Sequence, residues 1–136
     1  MDNVNVSEFF SFDGVTVSYR SYKFAKRYGS TQIRAGDGEV LCVVSFLLHN
    51  TSNKTRKLNL LKRMDISYEL DVDGSQYQPG PSILQNGGLN QLMTTLKPGE
   101  KEEAVLIYRM GKEKENASAL TLTLKEQVKQ SEITLR

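Results

Sequence analysis

Residues 39–50 read Glu-Val-Leu-Cys-Val-Val-Ser-Phe-Leu-Leu-His-Asn, the most apolar segment of the chain and the strongest indication of its fold. Apolar residues fill positions 40–44 and 46–48, and turn formers flank them, Asp37-Gly38 before and Thr51-Ser52-Asn53 after. Because side chains alternate along a strand, both faces of this strand are apolar. A strand of that kind must be covered on both sides, which predicts the central strand of a β domain. One face carries Val40, Cys42, Val44, Phe46 and Leu48, and the other carries Leu41, Val43 and Leu47.

Short apolar alternations separated by turns fill most of the remaining chain, and residues 29–38 are predicted to form a loop. The run from Met64 to Val72 alternates with acidic residues, which predicts a strand with one dry face and one wet face. Val4, Val6, Phe9 and Phe10 suggest a first strand, which Asp13-Gly14 would join to the next as a hairpin. Residues 120–124 read Leu-Thr-Leu-Thr-Leu, which favours a strand over the alternative of a helix across 113–129. Together these patterns predict an all-β, antiparallel β-sandwich of about seven to nine strands without a helix.

Length and composition indicate one globular domain. The 136 residues suit a single core, so we expect one domain over 1–136, with residues 1–8 flexible. The hydrophobic fraction of 38% argues against general disorder. A net charge of only +2 lacks the dense basic stripe of a protein that binds duplex nucleic acid. No run approaches the roughly 20 apolar residues that span a bilayer.

The residues themselves do not decide the cellular compartment of the protein. The start, Met1 to Val6, lacks the basic and apolar segments of a signal peptide, so the chain is either intracellular or a mature segment whose export signal has been removed. Cys42 is the single cysteine and cannot form an internal disulfide. Its place in the apolar run predicts a buried small hydrophobe.

Three pieces of the sequence resemble a known family. They are the apolar strand ending in His49-Asn50-Thr51-Ser52, the strand 66–70 followed by Asp71-Val72-Asp73-Gly74-Ser75-Gln76-Tyr77, and Leu96-Lys97-Pro98-Gly99-Glu100 before 105–108. The chain resembles the uncharacterised immunoglobulin-like domain of Gram-positive lipoproteins and exported proteins, over roughly residues 14–125. That family shares its sandwich fold with a secreted mycobacterial immunoprotective antigen.

The resemblance implies an immunoglobulin-like sandwich in an extracellular or cell-envelope setting. It implies no catalytic residues, because the family has none assigned. A membrane would be reached only through an N-terminal anchor that precedes this chain in the parent protein.

The residues offer little for catalysis or metal binding. Cys42 and His49 lie seven residues apart on one strand, which separates them and puts them on opposite faces. A hydrolase would require His49 in an open cleft beside a carboxylate and a hydroxyl.

One cysteine and one histidine do not make a zinc or copper site. Asp71 and Asp73, beside Gly74, form a weak calcium candidate, and we expect no cofactor.

Two basic segments are candidate binding residues. The first interleaves aromatic rings with cations, a combination that binds glycans or single-stranded nucleic acid. An edge strand with inward-facing rings has the same pattern, and alternation puts Tyr22, Phe24 and Tyr28 on one face of such a strand. The second is a polar, cationic loop after the central strand. The candidates are Tyr22, Lys23, Lys26, Arg27 and Tyr28 in the first segment, and Lys54, Arg56 and Lys57 in the second.

We therefore expect a non-catalytic binding module of a bacterial surface or lipid-anchored protein, with a protein or glycan partner. The alternative is an intracellular β-barrel that binds single-stranded nucleic acid through Tyr19–Tyr28. The identity of the ligand and the oligomeric state do not follow from the sequence.

Overall fold

The computed structural model describes residues 2–29, 33–80 and 88–136. Its described residues are nearly all in strands and loops, with one short α-helix and one 3₁₀ helix, Lys112–Asn116. None of the helices in these ranges is long and apolar enough to cross a membrane. In chain order the elements are β1 (Asp2–Asn3), α1 (Val6–Phe10), β2 (Val15–Ala25), β3 (Arg27–Tyr28), β4 (Ile33–Arg34), β5 (Glu39–Asn50), β6 (Arg56–Asn59), β7 (Ser67–Val72), β8 (Ser75–Tyr77), β9 (Met93–Leu96), β10 (Lys101–Gly111), β11 (Leu120–Glu126) and β12 (Lys129–Thr134).

Two sheets form the sandwich. One has the order β10-β5-β2, and the other has the order β1-β12-β11-β7-β8. All pairs in them are antiparallel except β1 with β12. Two separate ribbons, β3-β4 and β6-β9, complete the strand pairing of the described residues. The predicted β-sandwich is confirmed.

Strand β5 is the central strand, as its sequence predicts. Val40, Cys42, Val44, Phe46 and Leu48 are at most 1% exposed and belong to the main core between the sheets. On the opposite face, Leu41 and Val43 join Val105 and Ile107 in a second apolar cluster. Tyr28, Ile33 and Ala35 pack against this cluster, so the β3-β4 ribbon covers the outer face of the sheet.

The facing sheet contributes its apolar residues in strict alternation. Leu70 pairs with Leu122 and Tyr68 with Leu124, all on the core side of β7 and β11. The segment 120–124 is therefore a strand and not a helix. Asp73 (φ 48°) and Gly74 (φ 91°) are both left-handed, as the tight turn between β7 and β8 requires.

The amino-terminal prediction of a first strand and hairpin is wrong. Residues 6–10 form α1 because Asn5 caps it, its Oδ1 accepting the Glu8 N–H at 2.8 Å. Val6, Phe9 and Phe10 have the spacing of one helix face and are buried in the core. Before the helix, β1 pairs with Lys129 and Gln130 of β12. Asp13-Gly14 consequently joins a helix to β2.

Two further predictions need correction. Met64 does not belong to the dry face of β7, since it is 87% exposed and the strand begins at Ser67. The stretch 29–38, expected as loop, contains β4, which pairs with β3 through Tyr28 and Ile33. Part of that stretch, 30–32, lies outside the described residues.

Candidate functional site

The rings of Tyr22 and Phe24 are covered by the chain itself. The Arg136 guanidinium lies 5.5 Å from each ring centroid. Its Nε also donates to the Tyr22 hydroxyl at 3.0 Å. Both rings pack against the main core, the inward orientation expected of an edge strand.

Tyr28 lies on the opposite face of the sheet, where its hydroxyl and its ring both contact other side chains. Its hydroxyl donates to Glu103 Oε1 at 3.0 Å, and Lys23 Nζ lies 5.5 Å from its ring centroid. Burial, followed by the hydrogen bond that the hydroxyl donates to Glu103, raises the pKa of Tyr28 to about 12. The chain bends at Lys26, whose Nζ donates to the Glu39 carbonyl at 2.8 Å. This bend breaks the shared face that alternation from Tyr22 to Tyr28 predicted.

The aromatic–basic segment therefore offers no assembled stacking platform. Its rings contact Arg136, Lys23 and Glu103, while Arg27 is exposed beside them. The alternative of a nucleic-acid-binding barrel is accordingly not favoured.

Cys42 and His49 lie on opposite faces of β5. Cys42 is fully buried, and burial raises the pKa of its thiol to about 12. His49 is half-buried near the end of the strand, paired across the sheet with Thr16 and Lys101. This arrangement keeps the thiol and the imidazole apart.

The carboxylates of the two calcium-candidate residues accept hydrogen bonds from main-chain N–H groups. Asp71 Oδ1 accepts the Gly74 N–H at 2.9 Å. The oxygens of Asp73 accept the N–H groups of Ser118 and Ala119, both at 2.9 Å, and these bonds lower the pKa of Asp73. Over residues 2–29, 33–80 and 88–136, no three acidic, histidine or cysteine side chains gather where they could hold a metal ion.

The second predicted segment borders a groove. Asn50, fully buried, donates to the carbonyls of Lys54 at 2.8 Å and Leu96 at 2.9 Å, which fixes the loop that leads into β6. Arg56 pairs with Asp13 at 3.0 Å. Lys57 is exposed on the outer face of the β6-β9 ribbon, while Lys54 lies in the loop before it.

The groove has a volume of about 400 Å³. Residues 10–13 line one side and residues 55–59 the other, with Arg63 also in the lining. Beside it, the half-buried ring of Phe12 stacks on the buried ring of Phe10, with centroids 5.5 Å apart and planes 10° apart. The groove thus combines an apolar surface, three cationic side chains and the backbone of a strand.

Strand β6 presents unpaired main-chain groups to this groove. The Leu60 N–H bonds to the Leu92 carbonyl at 2.8 Å, in register with the β6-β9 ladder. Because hydrogen-bonded pairs alternate in an antiparallel ladder, Leu58 also points its main-chain groups toward β9. The N–H and C=O groups of Lys57 and Asn59 point the other way, and no described residue bonds to them.

Of the three cationic side chains at the groove, two form ion pairs with acidic residues. Arg56 is paired with Asp13, and Arg63 forms two bonds to Glu126, at 3.0 and 2.6 Å. Lys57 forms no ion pair with a described residue. With Arg56 and Arg63 both paired, Lys57 is the cation of the lining that is left without a counter-charge among the described residues, and it favours a negatively charged group.

A second cleft adjoins the groove through Arg63. It has a volume of about 240 Å³ and includes the partly exposed Leu61 and the exposed Met64. Sequence reasoning singled out Arg56 and Lys57 but missed Phe10, Phe12 and Arg63. These residues are distant along the chain, and their only sequence signal was apolar or basic character.

Comparison with known proteins supports the fold. No protein-family model and no curated protein sequence matches the chain. The chain is similar to the solved structure of an uncharacterised β-sandwich protein from Clostridium difficile, with a TM-score of 0.60 and 15% identity over 91% of this chain and 87% of that chain. It is also similar to a conserved hypothetical protein from Bacillus anthracis, with a TM-score of 0.55 and 18% identity over 99% and 95% of the two chains. At such identities the likeness shows the β-sandwich fold alone.

Proposed function

We propose that this β-sandwich is a non-catalytic binding module that holds an extended segment of a partner protein in the groove beside β6. The unpaired N–H and C=O groups of Lys57 and Asn59, facing a 400 Å³ groove, carry the proposal. An exposed strand edge is a template for another strand, and several peptide-binding domains bind their ligands by strand addition. The half-buried ring of Phe12 would add an apolar contact to these hydrogen bonds.

The proposal also includes the cellular location of the protein and the immunoglobulin-like subclass of its sandwich. The sequence resemblance supports an immunoglobulin-like module in the cell envelope or outside the cell. The β-sandwich fold is compatible with that setting. The strand edge and the groove are formed by residues of this chain alone.

The test compares the natural chain with a variant whose β6 edge is blocked. In Lys57→Pro the groove-facing N–H is lost, while the β6-β9 ladder keeps its bonds because Lys57 does not bond to β9. A displayed library of random seven-residue peptides is selected on the natural chain. Selected peptides should shift the amide signals of Lys57 and Asn59 in NMR spectra and should bind the variant at least tenfold more weakly.

Equal melting temperatures of the two proteins would show that Lys57→Pro is folded. Peptides that bind both proteins equally, or that shift signals elsewhere, would refute the groove as the binding site. If the library yields no peptide that binds, the binding function proposed for the groove is refuted.

A further inference from the structure

We infer that the segment that adds to β6 is acidic at alternate residues, with an apolar residue between them. This inference rests on the proposed function and specifies the chemistry of its partner. It follows from the direction in which the side chains of β6 point and from the charge at the groove.

The length of the exposed edge sets the length of the ligand. Residues 55–59 line the groove, and five residues in a strand span about 17 Å at ~3.3 Å each. In antiparallel addition, two ligand residues separated by one position would exchange main-chain bonds with Lys57 and Asn59. A pentapeptide is therefore sufficient to occupy the edge.

The outer face of the ligand meets Lys57. Directly opposed residues of an antiparallel pair put their side chains on the same face. Lys57 and Asn59 are exposed on the outer face of the ribbon, and Lys57 has no ion-pair partner among the described residues. A carboxylate opposite Lys57 would supply that partner, and a second opposite Asn59 would accept from its amide.

The inner face of the ligand meets apolar side chains. Leu58 is 5% exposed and belongs to the main core, against which the half-buried Phe12 packs. A ligand residue between the two acidic ones would point toward Leu58 and Phe12. A β-branched apolar side chain suits this position, since it favours the extended backbone.

The edge strand β2 is less suited to such a ligand. Strand β2 carries a register shift between Tyr19 and Ser21. Ser7 Oγ already accepts the Val17 N–H at 3.1 Å. Bulges of this kind are a common protection against strand addition.

The test uses three blocked pentapeptides, acetyl-Thr-Glu-Val-Glu-Thr-amide and its counterparts with Gln or Lys in place of both Glu residues. Binding is measured at millimolar concentration from the NMR amide shifts of Lys57 and Asn59, in low salt. The Glu peptide should bind about threefold more tightly than the Gln peptide, as an exposed ion pair predicts, and the Lys peptide should be the weakest. Raising the salt concentration should reduce the difference.

Charge reversal at one position provides the sharper test. Lys57→Glu should reverse the order of the Glu and Lys peptides. The matched control Lys125→Glu makes the same change at an exposed residue of β11 and should leave the order unaltered. Methylating the main-chain nitrogens of the two Glu residues should weaken binding about tenfold, because both donors to β6 are lost, and methylating that of Val should not.

The outcomes separate this inference from the function on which it rests. Equal binding of the three peptides at Lys57 and Asn59 would overturn the acidic preference and leave the strand-addition site standing. If none of the three peptides binds but peptides selected from the displayed library still bind at the groove, the acidic motif alone is overturned. Failure of both experiments would refute the binding function as well. Concentration-dependent dimers that Lys57→Pro abolishes would assign the groove to a second copy of the chain and overturn the acidic-peptide inference.

Discussion

At the scale of single residues, Asn50 connects the central strand to the groove. Its side chain is fully buried and uses its whole hydrogen-bonding capacity. Nδ2 donates to Lys54 and Leu96, while Oδ1 accepts from Ser52 N at 3.0 Å and Ser52 Oγ at 2.7 Å. One residue thus holds the end of β5, the loop before β6 and the end of β9 in a single arrangement.

Replacing Asn50 should destabilise the protein strongly. Asn50→Asp keeps the acceptor but loses both donors and buries a carboxylate against two carbonyl oxygens, so we expect a loss of about 3 kcal/mol or more in the free energy of unfolding. Urea denaturation at pH 7 measures it. Asn53→Asp, at an exposed position of the same loop, is the control and should stay within about 0.5 kcal/mol. Equal stability of the two variants would contradict the role given to Asn50.

Tyr108 ties the two sheets together across the core. Its ring is fully buried on β10, and its hydroxyl donates to the Tyr68 carbonyl on β7 at 2.8 Å. Burial raises the pKa of Tyr108 well above its ordinary value.

Tyr108→Phe should lower the free energy of unfolding by about 1–2 kcal/mol. The substitution leaves the buried Tyr68 carbonyl without this donor while the packing of the ring is retained. Chemical denaturation measures the change. Tyr77→Phe, at a half-buried tyrosine, is the control, and a cost at Tyr77 as large as that at Tyr108 would contradict the argument.

At the scale of elements, helix α1 shows how tertiary contacts override a strand-like composition. Its five residues are too few for a stable isolated helix, so the helix depends on contacts outside itself. Arg63 donates to the carbonyls of Phe9 and Phe10, and Lys129 Nζ donates to the Phe9 carbonyl at 2.8 Å. These cations satisfy the carboxyl end of the helix, as its dipole favours.

Arg63→Met should destabilise the fold at neutral pH by about 1–2 kcal/mol, because Glu126 and the Phe10 carbonyl lose the donor that Arg63 supplies. The hydrogen bond from Arg63 lowers the pKa of Glu126. This pair therefore contributes stability above the ordinary glutamate pKa of about 4.3, and the contribution is lost as pH falls through the lower value of the folded state.

The difference between the natural chain and Arg63→Met should consequently shrink below about pH 4. Urea denaturation across pH 3–7 measures it, with Lys62→Met, at the exposed neighbouring residue, as the control. A difference that is constant over this range would contradict the ion-pair contribution.

At the scale of the whole molecule, the buried thiol of Cys42 reports on opening of the sandwich. It lies in the main core at 0% exposure, and burial raises its pKa to about 12. Reaction requires a thiolate that solvent can reach, so the folded state should protect it.

A thiol reagent such as dithiobis-nitrobenzoate should react with the native protein at least a thousandfold more slowly than with the urea-unfolded chain. The labelling rate should rise in parallel with the unfolded fraction as urea is added. Rapid labelling in the absence of urea would show that the core opens locally near β5.

The residue pattern alone is sufficient to predict the β-sandwich and the place of β5 in it. Alternation along a strand is a local property, and a strand that is apolar on both faces has to be buried on both. The sequence also indicated Arg56 and Lys57 as binding candidates from their charge. Only the tertiary structure decided that Arg136 covers Tyr22 and Phe24, that residues 6–10 form a helix, and that residues 10–13 face an unpaired strand edge. These features depend on contacts between residues far apart in the chain, and such contacts leave no periodic pattern in the sequence.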